Sequence, residues 1–311
     1  MSKVSFVIPC YRSEQTIEGV IKEIREAMKE LPQYSYDVVL VNDCSPDGTW
    51  NVIKKMSESS NDVLGINLSK NFGQHAALMA GYAHADGEVV VSLDDDGQTP
   101  ANEVGKLLAG IEAGSDVVYA RYAHKQHSGF RNMGSKINEL MTRIMLGKPK
   151  ELQVSSYFAA RRFIIDEILK YRQSYPYVIG LVLRSTSNIT NVDVTHRART
   201  VGSSGYTFGK LMGLWMNGFT AFSIKPLRIA TAIGFISTII SLAYGIYTIV
   251  KKFIRPDVPV GFSALVCIML FVGGVLMIMQ GMMGEYLGRT YMSVNETPQY
   301  VIREMSGADC E

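Results

Sequence analysis

The chain of 311 residues has four cysteines, two tryptophans and no surplus of either charge. Cys10, Cys44, Cys267 and Cys310 lie far apart without metal-ligand spacing, which removes a cysteine-bound metal centre and fits a reducing, cytosol-facing setting. With 31 basic against 29 acidic side chains there is no electrostatic case for nucleic acid, and none is expected as a partner. His75, His84, His124, His127 and His196 are not spaced like a zinc site, and no Ser–His–Asp or Cys–His arrangement stands out. There is no internal repeat or low-complexity tract. The N-terminal run Val4-Ser5-Phe6-Val7-Ile8-Pro9 is short and lacks a cleavage-site pattern, so it reads as a first strand rather than a signal peptide.

Charge is also missing from two long stretches, Ile229 to Val250 and Val260 to Gly284. Each exceeds the roughly 20 residues a helix needs to cross a bilayer core. Lys251 to Pro259 between them is short and polar, so the pair predicts a transmembrane hairpin with both outer ends on one side. Lys210, Lys225 and Arg228 before it and Arg289 and Arg303 after it, against Lys251, Lys252 and Arg255 in the loop, tip those ends toward the cytosol. Gly281, Gly284 and Gly288 recur at helical spacing, suited to hairpin self-packing or an oligomer contact. Just before the hairpin, Phe208, Leu211, Met212, Trp215 and Phe219 fall on one helical face. That pattern suits a helix lying in the membrane interface, and also an ordinary core helix.

The first half of the chain alternates strand and helix patterns. Strands are predicted over Lys3–Pro9, Asp37–Asn42, Val63–Leu68, Glu88–Leu93 and Asp116–Tyr122. Helices are predicted from Ser13, as a cap, to Leu31, then over Thr49–Ser59, Gln74–Ala85 and Pro100–Ala113. Such alternation argues an α/β fold, a mostly parallel sheet with helices on both faces. A chain of this length also calls for a second unit.

In such sheets ligands bind at the carboxyl ends of strands, beside a topological switch point. Residues 88–98 run from a strand into Asp94, Asp95 and Asp96, with Gln98 two residues beyond. Three adjacent carboxylates repel one another and suit a hard divalent cation, Mg2+ or Mn2+, of the kind that also holds substrate phosphates. The same residues also suit a solvated acidic turn before Thr99-Pro100. Other strand ends carry Tyr11, able to stack on a base, Asp43, able to accept from a base N–H or simply to form a turn, and Lys70, able to neutralise phosphate.

Taken together these segments resemble the family 2 glycosyltransferases of the GT-A, Rossmann-like fold. The segments are Val7-Ile8-Pro9-Cys10-Tyr11-Arg12-Ser13-Glu14, the stretch 41–49 from Val41 to Thr49, Asn71-Phe72-Gly73-Gln74-His75 running on to Gly81, and Leu93-Asp94-Asp95-Asp96-Gly97-Gln98-Thr99-Pro100. His196 to Tyr206, Lys225-Pro226-Leu227-Arg228 and Gly284-Glu285-Tyr286-Leu287-Gly288-Arg289 extend it over most of the chain. The set is most similar to the membrane-anchored branch that loads a sugar onto a polyprenyl phosphate.

The resemblance implies that Pro9, Tyr11, Glu14 and Asp43 hold the nucleotide and that Asp94, Asp96 and Gln98 hold the metal; Lys70, Asp94 and Asp95, at the same strand ends, are further candidates for binding the nucleotide sugar. It further implies that Arg131, Ser135, Asn138, Arg199 and Ser204 serve the acceptor phosphate. The first three of these sit at helical spacings of four and three. Two departures stand out: Gly205 where the family loop usually carries Lys, and Ser155 and Ser156 where many members carry an Asp proposed as base. No catalytic base is therefore evident.

The expected organisation is a cytosolic catalytic domain over 1–206, a juxtamembrane amphipathic region over 207–226, a transmembrane hairpin over 227–288 and a cytosolic tail over 289–311. The expected activity is inverting transfer of a sugar from a UDP- or GDP-linked donor to a polyprenyl phosphate, undecaprenyl phosphate foremost, serving the cell envelope. The expected place is the cytosolic face of a bacterial inner membrane, with a homo-oligomer compatible with the resemblance. An inactive scaffold of the same fold is the rival reading. A polysaccharide synthase lacks support, because neither Trp50 nor Trp215 stands in a Gln-x-x-Arg-Trp motif.

Overall fold

A computed structural model describes residues 2–122, 149, 151–195, 225–254, 261–295 and 297–307. The chain divides into two compact units, Met1–Phe208 with Glu296–Glu311, and Gly209–Asn295.

The first unit is built on an eight-stranded sheet. Its strands are β1 (Ser2–Cys10), β2 (Tyr34–Asn42), β3 (Val63–Leu68), β4 (Val89–Ser92), β5 (Val117–Tyr122), β6 (Phe158–Arg161), β7 (Ile189–Val194) and β8 (Ile302–Ser306). The spatial order is β7-β5-β6-β4-β1-β2-β3-β8. β1 pairs in parallel with both β2 and β4, β2 with β3, and β5 with β7. β6 runs antiparallel between β4 and β5, and β8 runs antiparallel on the outer edge of β3. β1 lies at the centre, and from Val4 to Cys10 every residue is buried, apolar apart from Ser5, as expected of a strand covered on both faces.

One face of the sheet is covered by α1 (Ile17–Lys29), α2 (Thr49–Ser59) and α4 (Val104–Glu112). In α1 the buried residues Ile17, Val20, Ile21, Ile24, Ala27 and Met28 recur at spacings of three and four and meet Phe6, Ile8 and Leu40 of the sheet. The other face carries α3 (Gln74–His84), with α5 (Arg162–Leu169) and α6 (Val178–Ser185) beside it. Small residues let α3 approach closely: a Cβ on Gly81 would collide with Val7 and come within 3.1 Å of Val41. Ser13 lies one turn ahead of α1, whose N-cap is Thr16. Its carbonyl accepts from the Thr16 and Ile17 N–H groups, while its hydroxyl goes elsewhere.

The second unit contains α7 (Lys225–Ile254) and α8 (Phe262–Val294), helices of 30 and 33 residues that touch each other. Over the described residues alone, no helix is long and apolar enough to cross a membrane. The full sequence of these two helices contains the uncharged runs from Ile229 and from Val260. Arg131, Ser135, Asn138, Arg199, Ser204 and the amphipathic stretch from Thr207 to Phe222 lie outside the described residues.

After α8 the chain returns to the first unit. The Ser174 hydroxyl donates to the Thr297 carbonyl (2.9 Å) and the Gln299 amide to the Tyr171 carbonyl (2.6 Å). Strand β8 then closes the β3 edge. The tail expected over 289–311 thus contributes a strand to the catalytic sheet.

Candidate functional site

Sequential strands run outward from β1 in one direction to β2 and β3, while β4 lies on its other side. The gap between the carboxyl ends of β1 and β4 is therefore a topological switch point, where an open α/β sheet leaves a crevice. The acidic run leaves β4 at this place.

The three acids diverge. Asp95 turns toward β1, where Oδ2 accepts from the Tyr11 N–H (2.9 Å) and from the Ser13 hydroxyl. Asp94 turns toward the neighbouring elements: Oδ1 accepts from the Gln74 amide (3.1 Å) and Oδ2 from the Ser156 hydroxyl. Oδ1 of Asp96 accepts from the Gln98 N–H (3.0 Å), forming a tight turn through Gly97 at φ +72°. Burial pushes the Asp94 carboxyl up to about 6, the Ser156 hydroxyl opposes that, and the charges of Asp96 and Asp95 add to it. Burial likewise raises Asp95, against its bonds from Ser13 and Tyr11.

Among the described residues, no group of three or more His, Cys, Asp or Glu side chains gathers as a metal site. The residues the sequence marks as donors, the carboxylates Asp94 and Asp96 and the amide of Gln98, all lie just past the end of β4. Hard oxygen donors of this number fit Mg2+ or Mn2+, which fill their remaining positions from water and substrate phosphate. Asp95 bridges to β1 and is not part of that set.

The other strand ends form the neighbouring wall. Arg12 at φ +59° and Cys44 at φ +49° are non-glycine residues in the left-handed region, one just past β1 and one just past β2. Pro9 lies inside β1 opposite Val41. Tyr11 is 45% exposed with the Arg12 guanidinium 5.6 Å from its ring centre, leaving an aromatic face at the crevice mouth. Glu14 accepts from the Gly48 N–H (3.0 Å), and a Cβ on Gly48 would lie 2.6 Å from its Oε1. Only glycine leaves that carboxylate its place. Lys70 holds its ammonium 4.9 Å from the Phe72 ring centre.

Asp43 is 4% exposed and already engaged: Oδ1 accepts from the Phe72 N–H (2.7 Å) and Oδ2 from the Gly73 N–H (2.9 Å). It fastens the end of β2 to the loop that starts α3. Burial raises its pKa, and those two backbone bonds offset part of the rise.

Sequence reasoning left three participants unassigned. Gln74 sits inside a quoted motif, but its contact to Asp94 depends on where α3 begins. Ser13 read as a helix cap, and Ser156 as the loss of an acid. Each is a donor to one carboxylate of the acidic run.

Two segments of the chain each match a known family. Residues 5–169 match "Glycosyl transferase family 2" and residues 225–290 match "GtrB C-terminal hairpin". The undecaprenyl-phosphate 4-deoxy-4-formamido-L-arabinose transferase of Proteus mirabilis is 31% identical over 311 residues, covering 99% of this chain and 95% of that protein. The prophage bactoprenol glucosyl transferase homolog of Escherichia coli is 30% identical over 306 residues, covering 97% and 99%. The crystal structure of glucosyl-3-phosphoglycerate synthase from M. tuberculosis shares the fold, at TM-score 0.51 and 18% identity over 71% of this chain and 81% of that one. With an acidic switch-point crevice in a mostly parallel α/β sheet and a two-helix hairpin after it, the chain belongs to glycosyl transferase family 2 and is a glycosyltransferase with a GtrB-type C-terminal hairpin.

Proposed function

We propose that this enzyme transfers a sugar from a UDP- or GDP-linked donor to the phosphate of a polyprenyl lipid, undecaprenyl phosphate, with inversion at the anomeric carbon. The observation that carries this reading is one chain joining the acidic switch-point crevice to an apolar hairpin, at full-length similarity to relatives named for undecaprenyl phosphate and bactoprenol. Pro9, Tyr11, Glu14, Asp43, Lys70 and Asp95 form or brace the wall for the nucleotide sugar, with Tyr11 as the stacking face. Asp94, Asp96 and Gln98 would hold Mg2+ or Mn2+, which when bound supplies charge neutralisation for the departing diphosphate. Arg131, Ser135, Asn138, Arg199 and Ser204 are assigned to the lipid phosphate.

The missing base is no obstacle to this chemistry. A phosphate monoester has its second pKa near 6, so the attacking oxygen is already largely ionised at neutral pH. It needs positioning and a compensating charge. The bond from the anomeric carbon to the nucleotide's distal phosphate oxygen breaks as the bond to the lipid phosphate oxygen forms.

The hairpin supports a membrane location. Apart from Tyr11, Phe163, Tyr175 and Val301, every described large hydrophobic residue that is exposed lies on α7 or α8. Exposed apolar surface concentrated in this way marks a membrane or protein contact. At about 1.5 Å per residue, both helices exceed the roughly 30 Å of hydrocarbon they would cross. We place the hairpin over 227–288 in the bacterial inner membrane, the catalytic domain over 1–206 and the tail in the cytosol, and any homo-oligomer contact on the glycine face of α8.

The deciding experiment incubates full-length protein in detergent with undecaprenyl phosphate and a panel of nucleotide sugars, with and without a chelator. One lipid-linked sugar, formed only with divalent metal, is the expected result. No product from any donor, together with no nucleotide binding, would leave an inactive scaffold.

A further inference from the structure

The strand that follows the hairpin brings a cation to the carboxyl rim of the sheet, beside the end of β3. Because β8 is antiparallel to β3, it begins where β3 ends, at the carboxyl rim of the sheet. Its register is irregular at that rim. Ile302 pairs with Leu68 and Glu304 with Asn67, so Arg303 is an extra residue between two ladder partners. Such a bulge re-aims the side chain it carries and is common beside active sites. The neighbours of Arg303 on β8 face α2: Glu304 accepts from the Trp50 indole N–H, and the Ser306 hydroxyl bonds Ser57 at 2.8 Å. Arg303 instead donates from Nη2 to the Ser69 carbonyl (3.2 Å), just past the end of β3.

That carbonyl is also approached by the Cys44 thiol at 3.9 Å. The guanidinium therefore borders the Asp43-Cys44-Ser45 turn. It is exposed and, among the described residues, has no carboxylate partner. Both Asp43 oxygens receive backbone N–H groups, and Lys70 lies over Phe72. Arginine carries five N–H donors in a rigid fork, of which the Ser69 carbonyl uses one side.

We propose that Arg303 is a specificity-determining residue for the donor's nucleobase: its unengaged N–H groups donate to a base carbonyl, favouring bases with an oxo edge over bases presenting an amino group there. The ligand class is a uridine or guanosine diphosphate, against adenosine and cytidine diphosphates, whose amino groups would face the guanidinium donor to donor. The inference rests on the nucleotide-sugar reading above. It assigns base reading to a residue downstream of the hairpin rather than to Asp43, which here serves as a brace between β2 and α3.

The test is calorimetric titration of full-length wild-type protein, Arg303→Ala and Arg303→Lys with UDP, GDP, ADP and CDP in Mn2+. Wild type should bind UDP or GDP at least tenfold tighter than ADP and CDP. Arg303→Ala should narrow that ratio by about tenfold, the scale of one guanidinium-to-base contact. Arg303→Lys, which keeps the charge and loses the fork, should lie between them. An unchanged ratio in Arg303→Ala overturns the inference, and so does an equal loss for all four nucleotides, which would mark a general charge or a structural role. Failure of wild type to bind any nucleotide overturns the donor reading itself.

Discussion

Ser156 donates its hydroxyl to Oδ2 of Asp94, tying the segment before β6 to the acidic end of β4. With Gln74 on Oδ1, the carboxylate is held from two elements on separate parts of the chain. An acid at position 156 would put a fourth carboxyl against three and push their pKa values further up. Serine instead steadies the carboxylate and partly counters its raised pKa. Groups that orient a metal-binding carboxylate typically matter by 10- to 100-fold in metal affinity. Ser156→Ala should therefore raise the Mn2+ concentration for half-maximal transfer by about tenfold or more. A metal titration superimposable on wild type would remove Ser156 from the site.

Asp96 sits where a carboxylate oxygen accepts from its own turn at Gln98 and is assigned to the cation. Deleting a group that stabilises developing charge usually costs on the order of 100-fold in rate. Asp96→Ala should lower kcat by at least about that factor while thermal unfolding and membrane extraction stay as in wild type. Turnover near the wild-type rate would remove the metal role from this residue.

The strand–helix alternation up to Tyr122 was legible because the parallel strands carry short apolar runs, and α1 and α4 carry apolar residues at spacings of three and four. The ends of α2 and β3 fell where the pattern places them, since Gly48 and Ser60 bracket one and the Val63–Leu68 run defines the other. β6 was not legible, because Phe158-Ala159-Ala160-Arg161 is four residues without alternation and gains its ladder only from β4 and β5. β8 was hidden for a similar reason: three of the five residues in Ile302-Arg303-Glu304-Met305-Ser306 are polar, and its partner lies more than two hundred residues earlier. In the site, the carboxylates were readable as residue types at a strand end. Which way each one turns was not, since that depends on donors such as Ser13, Gln74 and Ser156 arriving from other elements.

His75 provides a pH signature independent of catalysis. Its ring packs edge-on against Tyr177, with centroids 5.1 Å apart, and its Nδ1 is enclosed without a hydrogen-bond partner. Burial pushes its pKa down to about 4, against about 6.5 in an unfolded chain. The folded state thus favours the neutral ring. The stability it allows is intact above pH 6.5 and is lost as pH falls toward 4, by about 3 kcal/mol at the limit. Asp47 and Asp62, whose pKa values are lowered by their hydrogen bonds, add their own acid losses. The difference between wild type and His75→Phe isolates the histidine. Wild type should lose Tm between pH 6.5 and 4.5 more steeply than His75→Phe, and parallel Tm curves would show that the ring is not buried neutral.

The last strand sets up a prediction about the whole catalytic sheet. β8 covers the β3 edge, and its removal would leave β3 with a row of unpaired backbone groups, the kind of edge that pairs with other chains. It would also strip Trp50 of its acceptor Glu304 and Ser57 of Ser306. Ser57 keeps a bond to the Lys54 carbonyl at 2.9 Å, so Ser306→Ala alone should cost only about 1 kcal/mol. Truncation after Asn295 removes the strand, the ties at Tyr171 and Ser174 and the Arg303 contact together, while leaving both hairpin helices in place. The truncated protein should still fractionate with membranes, yet melt at least about 5 °C lower and aggregate on extraction. A truncated protein that melted with wild type would mean that the sheet is complete without β8, and that the chain returns from the hairpin for some other purpose.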